Sequence, residues 1–193
     1  MRCHSAEQAL SLIQNDETIW CHSMAATPYA MLNSLAKVAL DKQNLTLLSL
    51  HTEHSDVLAA AELQGHLRQR VFFVGRPSRP AVNAGLADYV PAFLSEIPKL
   101  FRSGEQKLDT AIIQVSPPDK HGLCSLGISV EATRAALQSA KKIIAQINPN
   151  MPRTHGDAFV HLKDFAAYVE LESQIPLHLP AAQDPITAQI GQL

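Results

Sequence analysis

Two stretches carry more proline, glycine and polar donors than a plain connector needs. Ser116-Pro117-Pro118-Asp119-Lys120-His121-Gly122 follows an apolar run that ends at Val115, and Asn148-Pro149-Asn150-Met151-Pro152-Arg153-Thr154-His155-Gly156-Asp157 follows one that ends at Ile147. Prolines fix the backbone, Asp119 can accept from nearby backbone N–H groups, and Gly122 can take positive φ. The second stretch adds amide, hydroxyl, imidazole and guanidinium donors. Such loops serve either as binding elements or as rigid turns, and spacing alone leaves both open.

Other constellations fit their chemistry poorly. Gly122 to Ser129 has the glycine spacing and terminal serine of a phosphate-binding loop, but Ile128 stands where the lysine must be. No G-x-G-x-x-G occurs. The nine histidines offer loose pairs, His121 with Cys124 and His155 with His161, but not the three or four convergent ligands that zinc requires. No metal site is expected. Cys124 has no histidine base placed beside it by sequence, so it reads as an inert buried thiol. Glu170 and Glu172 read as a solvated strand face.

The elements that must position these loops alternate between short apolar runs and helical periodicity. Ser5 with Gln8 predicts a capped first helix, with Ala6, Ala9, Leu10 and Ile13 on one buried stripe. Thr18 to Cys21 predicts a strand. Thr27-Pro28 predicts a helix start, with Thr27 as N-cap, leading into a helix that buries Met31, Leu32, Leu35, Ala36 and Ala39. Further strands are expected at 45–50, 71–74, 108–115, 143–147 and 168–171, and helices at 58–67 and 131–140. Asp184-Pro185 predicts one more helix start, with Ile186 and Ile190 beginning a buried stripe. Continuous apolar strands separated by helices predict an α/β fold, an open and mainly parallel sheet with helices on both faces. The loops that matter should lie at the strand carboxyl ends.

Composition sets the outer bounds. The chain has 193 residues, 46% of them hydrophobic and 18% charged, with a formal net charge of −2. That is enough apolar content for a core, and it argues against disorder. Near-neutral charge removes the electrostatic case for nucleic acid, and no apolar run approaches the roughly 20 residues a bilayer requires. Three scattered cysteines and no signal-like N-terminus point to a reducing, cytoplasmic setting.

The same two loops carry a family resemblance. SPPDKHGLCSLG (116–127) and NPNMPRTHGD (148–157) resemble the signature stretches of the acetyl-CoA hydrolase/transferase family, within the class I coenzyme A transferases that include 4-hydroxybutyrate and acetate CoA-transferases. The resemblance extends through Val74-Gly75, residues 81–91 and 94–101, and the small-residue turn His22-Ser23-Met24-Ala25-Ala26-Thr27-Pro28. It implies a fold like that of the NagB/RpiA/CoA transferase group. It also implies that this chain is the N-terminal half of such an enzyme: residues 1–180 as the domain, and 181–193 opening the segment that leads to a missing C-terminal domain or subunit.

In the family, a glutamate of the second half attacks an acyl-CoA thioester. That glutamate lies in a segment that has no counterpart here; His51-Thr52-Glu53-His54-Ser55-Asp56 resembles it only in part. No catalytic residue is therefore expected in this chain. The resemblance implies that this half lines the acyl and carboxylate end of the site. Ala25, Ala26 and Thr27 are one candidate group, since they lead into a helix N-terminus that favours an anion. Asn148, Met151, Pro152, Thr154 and Gly156 are the second. Coenzyme A enters as substrate, with no bound cofactor. Small carboxylates are the other ligands, and self-association is expected from a face normally covered by the second half. The reading from a different class is a non-enzymatic module that binds CoA esters or carboxylates, or an assembly partner.

Overall fold

The computed structural model describes residues 1–177 and 184–192. Eight strands form one sheet in which every pairing is parallel. They are β1 (Arg2–Cys3), β2 (Thr18–Cys21), β3 (Leu45–Ser49), β4 (Leu67–Val71), β5 (Ala87–Tyr89), β6 (Thr110–Val115), β8 (Lys142–Ile147) and β10 (Ala167–Glu170). A separate antiparallel pair joins β7 (Leu123–Ser125) to β9 (Phe159–His161). The helices are α1 (Ala6–Leu10), α2 (Tyr29–Ala39), α3 (Arg79–Asn83), α4 (Ile97–Ser103), α5 (Thr133–Ser139) and α6 (Pro185–Ile190).

Strand order is β1-β10-β8-β6-β2-β3-β4-β5. From β2 the chain steps outward through β3 and β4 to β5, then returns to β6 on the other side of β2. This reversal puts a topological switch point between β2 and β6, where open α/β sheets form crevices beyond their carboxyl ends.

Alternation of side chains feeds two cores. Trp20, Ala111, Ile113 and Val115 enter one, with Phe101 of α4 and Ala136 of α5. Ile19, Cys21, Ile112 and Ile144 enter the other, with Leu10 of α1 and Leu32 and Leu35 of α2. Trp20 fixes α4 and α5 together: its ring meets Phe101 edge-on at 5.1 Å, and its indole N–H donates to Thr133 Oγ1 at 2.9 Å. With both faces covered, the central strands are mainly apolar. This is the expected α/β architecture.

Ser5 caps α1, accepting from Gln8 N–H at 3.1 Å, while Gln8 Oε1 reaches back to His4 N–H at 2.8 Å. Several expectations need correction. The helix at 58–67 is absent. Leu58 and Leu63 are buried, but from two separate 3₁₀ turns (Ser55–Ala59 and Ala61–Leu63), and Gly65 at φ 82° follows.

The strand expected at 71–74 lies instead at Leu67–Val71, because its register with β3 runs from Leu45↔Leu67 to Ser49↔Val71. Leu67, Gln69 and Val71 point inward there. Arg68 and Arg70 point outward to Asp88 of the edge strand β5, and Phe73 is left exposed. In α6, Asp184 caps as expected by accepting from the Ile186 and Thr187 N–H groups, but Ile186 and Ile190 are exposed rather than buried. The domain boundary expected after residue 180 lies outside the described residues.

Candidate functional site

The turn leaving β2 at the switch point is built from small, buried residues. Ala26 and Thr27 are fully buried, and Met24 adopts φ 57°. Thr27 does not cap α2, contrary to the sequence expectation. Its hydroxyl instead turns back to donate to Met24 O at 2.7 Å, beside the Thr27 N–H bond to the same oxygen at 3.1 Å. A trans peptide holds its N–H opposite its C=O. Two donors on Met24 O therefore aim the Ala25 N–H the other way, out of the turn.

The neighbouring amides are occupied: Met24 N–H by His51 O, Ala26 N–H by Ser23 O, and Ser23 N–H by the Glu131 carboxylate. The Ala25 N–H has no acceptor among the described residues. Beside it, α2 starts with no side-chain cap and no acidic residue in its first turn. An open amide at an uncapped helix N-terminus favours negative charge.

The segment leaving β3 buttresses this turn. Leu50 N–H donates to Ser23 Oγ at 3.1 Å, Met24 bridges Thr52 in parallel, and Glu53 N–H donates to Thr27 Oγ1 at 3.2 Å. His51 lies against Gly75, where a Cβ would sit 2.1 Å from the imidazole, so only glycine admits the ring. The His51 Nε2 atom is 3.2 Å from Glu53 Oε1. Around this edge Met24, Phe73, Tyr89, Phe93 and Leu94 are exposed. Residue spacing offers no reason to group His51 and Glu53 with the β2 turn; their link is the β2–β3 pairing.

Beneath the turn lies a buried polar relay that the sequence reading missed. Gln114, fully buried on β6, donates from Nε2 to Ala26 O at 3.2 Å and Thr27 O at 3.4 Å. Its Oε1 accepts from Asn148 Nδ2 at 2.7 Å and from Ser173 Oγ at 3.2 Å. Asn148 Oδ1 in turn accepts from the backbone N–H groups of Asn150 and Ser173. Thus Asn148, from the second candidate group, is tied to the Ala25–Thr27 turn through one glutamine. A polar residue inside the otherwise apolar run Ala111–Val115 was the signal that could have found it.

The rest of the second group faces the β7–β9 layer. Met151 is buried against Gly127, whose φ of 71° and absent Cβ make room for it. Thr154 Oγ1 donates to Gly127 O at 2.7 Å, and its N–H to Ser125 Oγ at 3.1 Å. Pro152 and Gly156 are exposed, the latter at φ 98°. In the first loop Asp119 accepts from the His121 and Leu123 N–H groups and pairs with Arg153 at 2.8 Å. The two proline loops are therefore stapled to each other. The bond from Leu123 N–H, with that from His121, holds the Asp119 carboxyl below its usual range.

Burial sets the ionisation of the groups around the switch point. His22 is fully buried and its pKa is pushed down to about 4. Ser129 O can only accept, so Nε2 carries the proton and Nδ1 accepts from Gln114 N–H. Glu131, at φ 26°, is pushed up to about 7 by burial, against hydrogen bonds from Thr133, Ala132 and Ser23 that favour the carboxylate. Cys124 is raised to about 11 by burial, which keeps it a thiol. Among the described residues no group of three or more His, Cys, Asp or Glu is placed to hold a metal. No helix among them is long and apolar enough to cross a membrane.

Comparison with known proteins defines the class. The acetyl-CoA hydrolase/transferase N-terminal domain matches residues 1–179, and the chain belongs to this family. It is 39% identical, over 98% of its length, to the succinyl-CoA:acetate/propanoyl-CoA:succinate CoA transferase of Fasciola hepatica, and covers 40% of that protein. It is 37% identical, over 97% of its length, to the 4-hydroxybutyrate coenzyme A transferase of Clostridium kluyveri, and covers 44% of it. Among solved structures, RipA from Yersinia pestis superposes with a TM-score of 0.88 at 27% identity, over 95% of this chain and 45% of that one. The chain thus spans less than half the length of these relatives.

Proposed function

We propose that this chain is the acyl- and carboxylate-facing half of an acyl-CoA hydrolase/CoA-transferase, inactive until a second half supplies the nucleophile. The observation that carries the reading is the outward Ala25 N–H, held open at the switch point beside the uncapped start of α2. In the family's reaction a glutamate carboxylate of the second half attacks the thioester carbonyl and expels CoA thiolate, leaving an acyl–glutamyl anhydride. The thiolate then attacks the glutamyl carbonyl, releasing the acyl group as carboxylate and leaving a glutamyl-CoA thioester. An incoming carboxylate takes up CoA by the reverse steps. Each addition forms an oxyanion, and preorganised backbone donors are the economical way to stabilise one.

Ala25 supplies such a donor from this half, and Ala26 and Thr27 present no bulk that would keep a thioester from the backbone. Asn148 braces the turn, while Met151, Pro152, Thr154 and Gly156 shape the adjoining wall. Transfer requires that water be excluded; water reaching an intermediate gives hydrolysis. The exposed Met24, Phe73, Phe93 and Leu94 rim is where the second half, or a second copy when that half is lacking, would cover apolar surface. Three free, buried cysteines fit a reducing, cytoplasmic setting.

The test compares this chain alone with the same chain completed by a second half, assayed for CoA exchange between acyl-CoA and acetate. Turnover is expected only in the completed enzyme, and light scattering of the chain alone should give particles of more than one chain. Binding of acyl-CoA with no turnover in any pairing would replace this reading with that of a binding module.

A further inference from the structure

Gln114 is one of three carboxamides buried in the sheet, with Gln69 and Gln146. It lies on the innermost part of the molecule, between β2 and β8, with no exposed surface. A buried carboxamide is tolerated only when its donors and acceptor are satisfied. Here each atom is committed: the two Nε2 hydrogens to Ala26 O and Thr27 O, and Oε1 to Asn148 Nδ2 and Ser173 Oγ.

The orientation of the amide is dictated from both ends. At one end the partners are carbonyls, which only accept. At the other, Asn148 Oδ1 is claimed by the N–H groups of Asn150 and Ser173, which leaves Nδ2 to face Gln114. The relay therefore has a single polarity, running from the loop after β8 to the turn after β2.

We propose that Gln114 is a positioning residue for the CoA-exchange chemistry: its carboxamide fixes the Ala26 and Thr27 carbonyls from below and, through Thr27, sets the direction of the Ala25 N–H. The chain of contacts is short. Anchoring both carbonyls fixes the peptides on either side of the Thr27 Cα. That places Thr27 N–H and Oγ1 on Met24 O, and the Met24–Ala25 peptide follows. Gln114 touches no reacting atom in this arrangement; its contribution is angular. This inference rests on the reading of Ala25 as an oxyanion donor and adds the device that aims it. It also gives Asn148 a role distinct from substrate contact, as the group that selects the amide's polarity.

The experiment uses the enzyme completed by its second half and reads kcat and KM for acyl-CoA separately. Gln114→Met removes all four bonds at similar volume. Gln114→Glu keeps an acceptor at Oε1 but sets a second oxygen against two carbonyls. Each is expected to lower kcat at least tenfold with KM changed less than about threefold. Asn148→Asp is the independent variant should either glutamine variant fail to fold. It leaves Oδ1 in place for Asn150 and Ser173 but replaces Nδ2, the donor to Gln114 Oε1 and Ser173 O, with an oxygen, so the carboxamide is repelled at that end and loses its hold on the turn. The same loss of kcat at constant KM is expected.

A folded Gln114→Met or Asn148→Asp enzyme with kcat within twofold of wild type overturns the proposal. Thr27→Val separates the two levels of the account. If it lowers kcat while Gln114→Met does not, the turn reading stands and the role of Gln114 falls. If neither lowers kcat, both fall. A rise in KM at unchanged kcat in the Gln114 variants also overturns the proposal, because it would mark a binding contact rather than an aiming one.

Discussion

Thr27→Val is expected to lower kcat of the completed enzyme by about ten- to thirtyfold, with KM for acyl-CoA nearly unchanged, and Thr27→Ser to restore most of it. Valine keeps the shape of threonine but loses Oγ1, which donates to Met24 O at 2.7 Å and accepts from Glu53 N–H at 3.2 Å. Removing an oxyanion donor outright costs about 2.7–4 kcal/mol. Here the donor stays, since Ala25 keeps its N–H, but one of the two anchors of its peptide is gone. A loss of about 1.5–2 kcal/mol in the transition state is therefore the appropriate scale, and each 1.36 kcal/mol is tenfold in rate. Loss of the Glu53 N–H bond to Thr27 Oγ1 adds a stability cost of about 0.5–1.5 kcal/mol. Steady-state kinetics with a parallel melting curve separates the two effects. Unchanged kcat in a folded valine variant contradicts the assignment of the turn.

The second large effect is on stability against pH, where two buried groups oppose each other. His22 ordinarily titrates near 6.5 and is held down to about 4 by burial. Between those values the unfolded chain binds the proton and the folded chain does not, so the His22 contribution is lost as pH falls from about 6.5 to 4. Glu131 ordinarily titrates near 4.5 and is raised to about 7, again by burial. Between those values the folded chain holds the proton and the unfolded chain does not, so this contribution is lost as pH rises from about 4.5 to 7. At 1.36 kcal/mol per unit, each amounts to about 3 kcal/mol.

In the overlapping window the two slopes largely cancel. Glu131→Gln removes one of them. The difference in unfolding free energy between wild type and this variant should therefore shift by about 3 kcal/mol against wild type from pH 4.5 to 7.5. Urea denaturation at four pH values measures it, and a difference that does not vary with pH rules out the assignment of Glu131.

Much of the fold was legible because it rests on periodicity. The runs at 18–21, 45–49, 110–115 and 142–147 carry apolar residues on both faces, as strands of a covered parallel sheet do. The edge was harder to read. In β4 the outward Arg68 and Arg70 hide the strand from a search for apolar runs, and the more apolar 71–74 stretch diverted it. The short β1 and β5 strands contain little pattern of their own and exist through their neighbours, β10 and β4.

The two proline loops and the small-residue turn could be singled out from residue type, and their family resemblance from their order. Their connection could not. It runs through Gln114, Asn148 and Ser173, three residues far apart in sequence, and through a threonine whose hydroxyl faces backward into its own turn instead of capping the next helix. Hydrogen-bond direction at a buried site is a tertiary property, and sequence spacing carries no trace of it.

The central claim is that this chain shapes the site while the covalent carboxylate lies outside it. The most direct test is to incubate the completed enzyme with acyl-CoA, trap the enzyme–CoA thioester by reduction, and locate the modified glutamate by peptide mass mapping. The account predicts modification in the second half and none within residues 1–193. Modification at Glu53, whose carboxylate stands 3.2 Å from His51 Nε2 beside the turn, would contradict it.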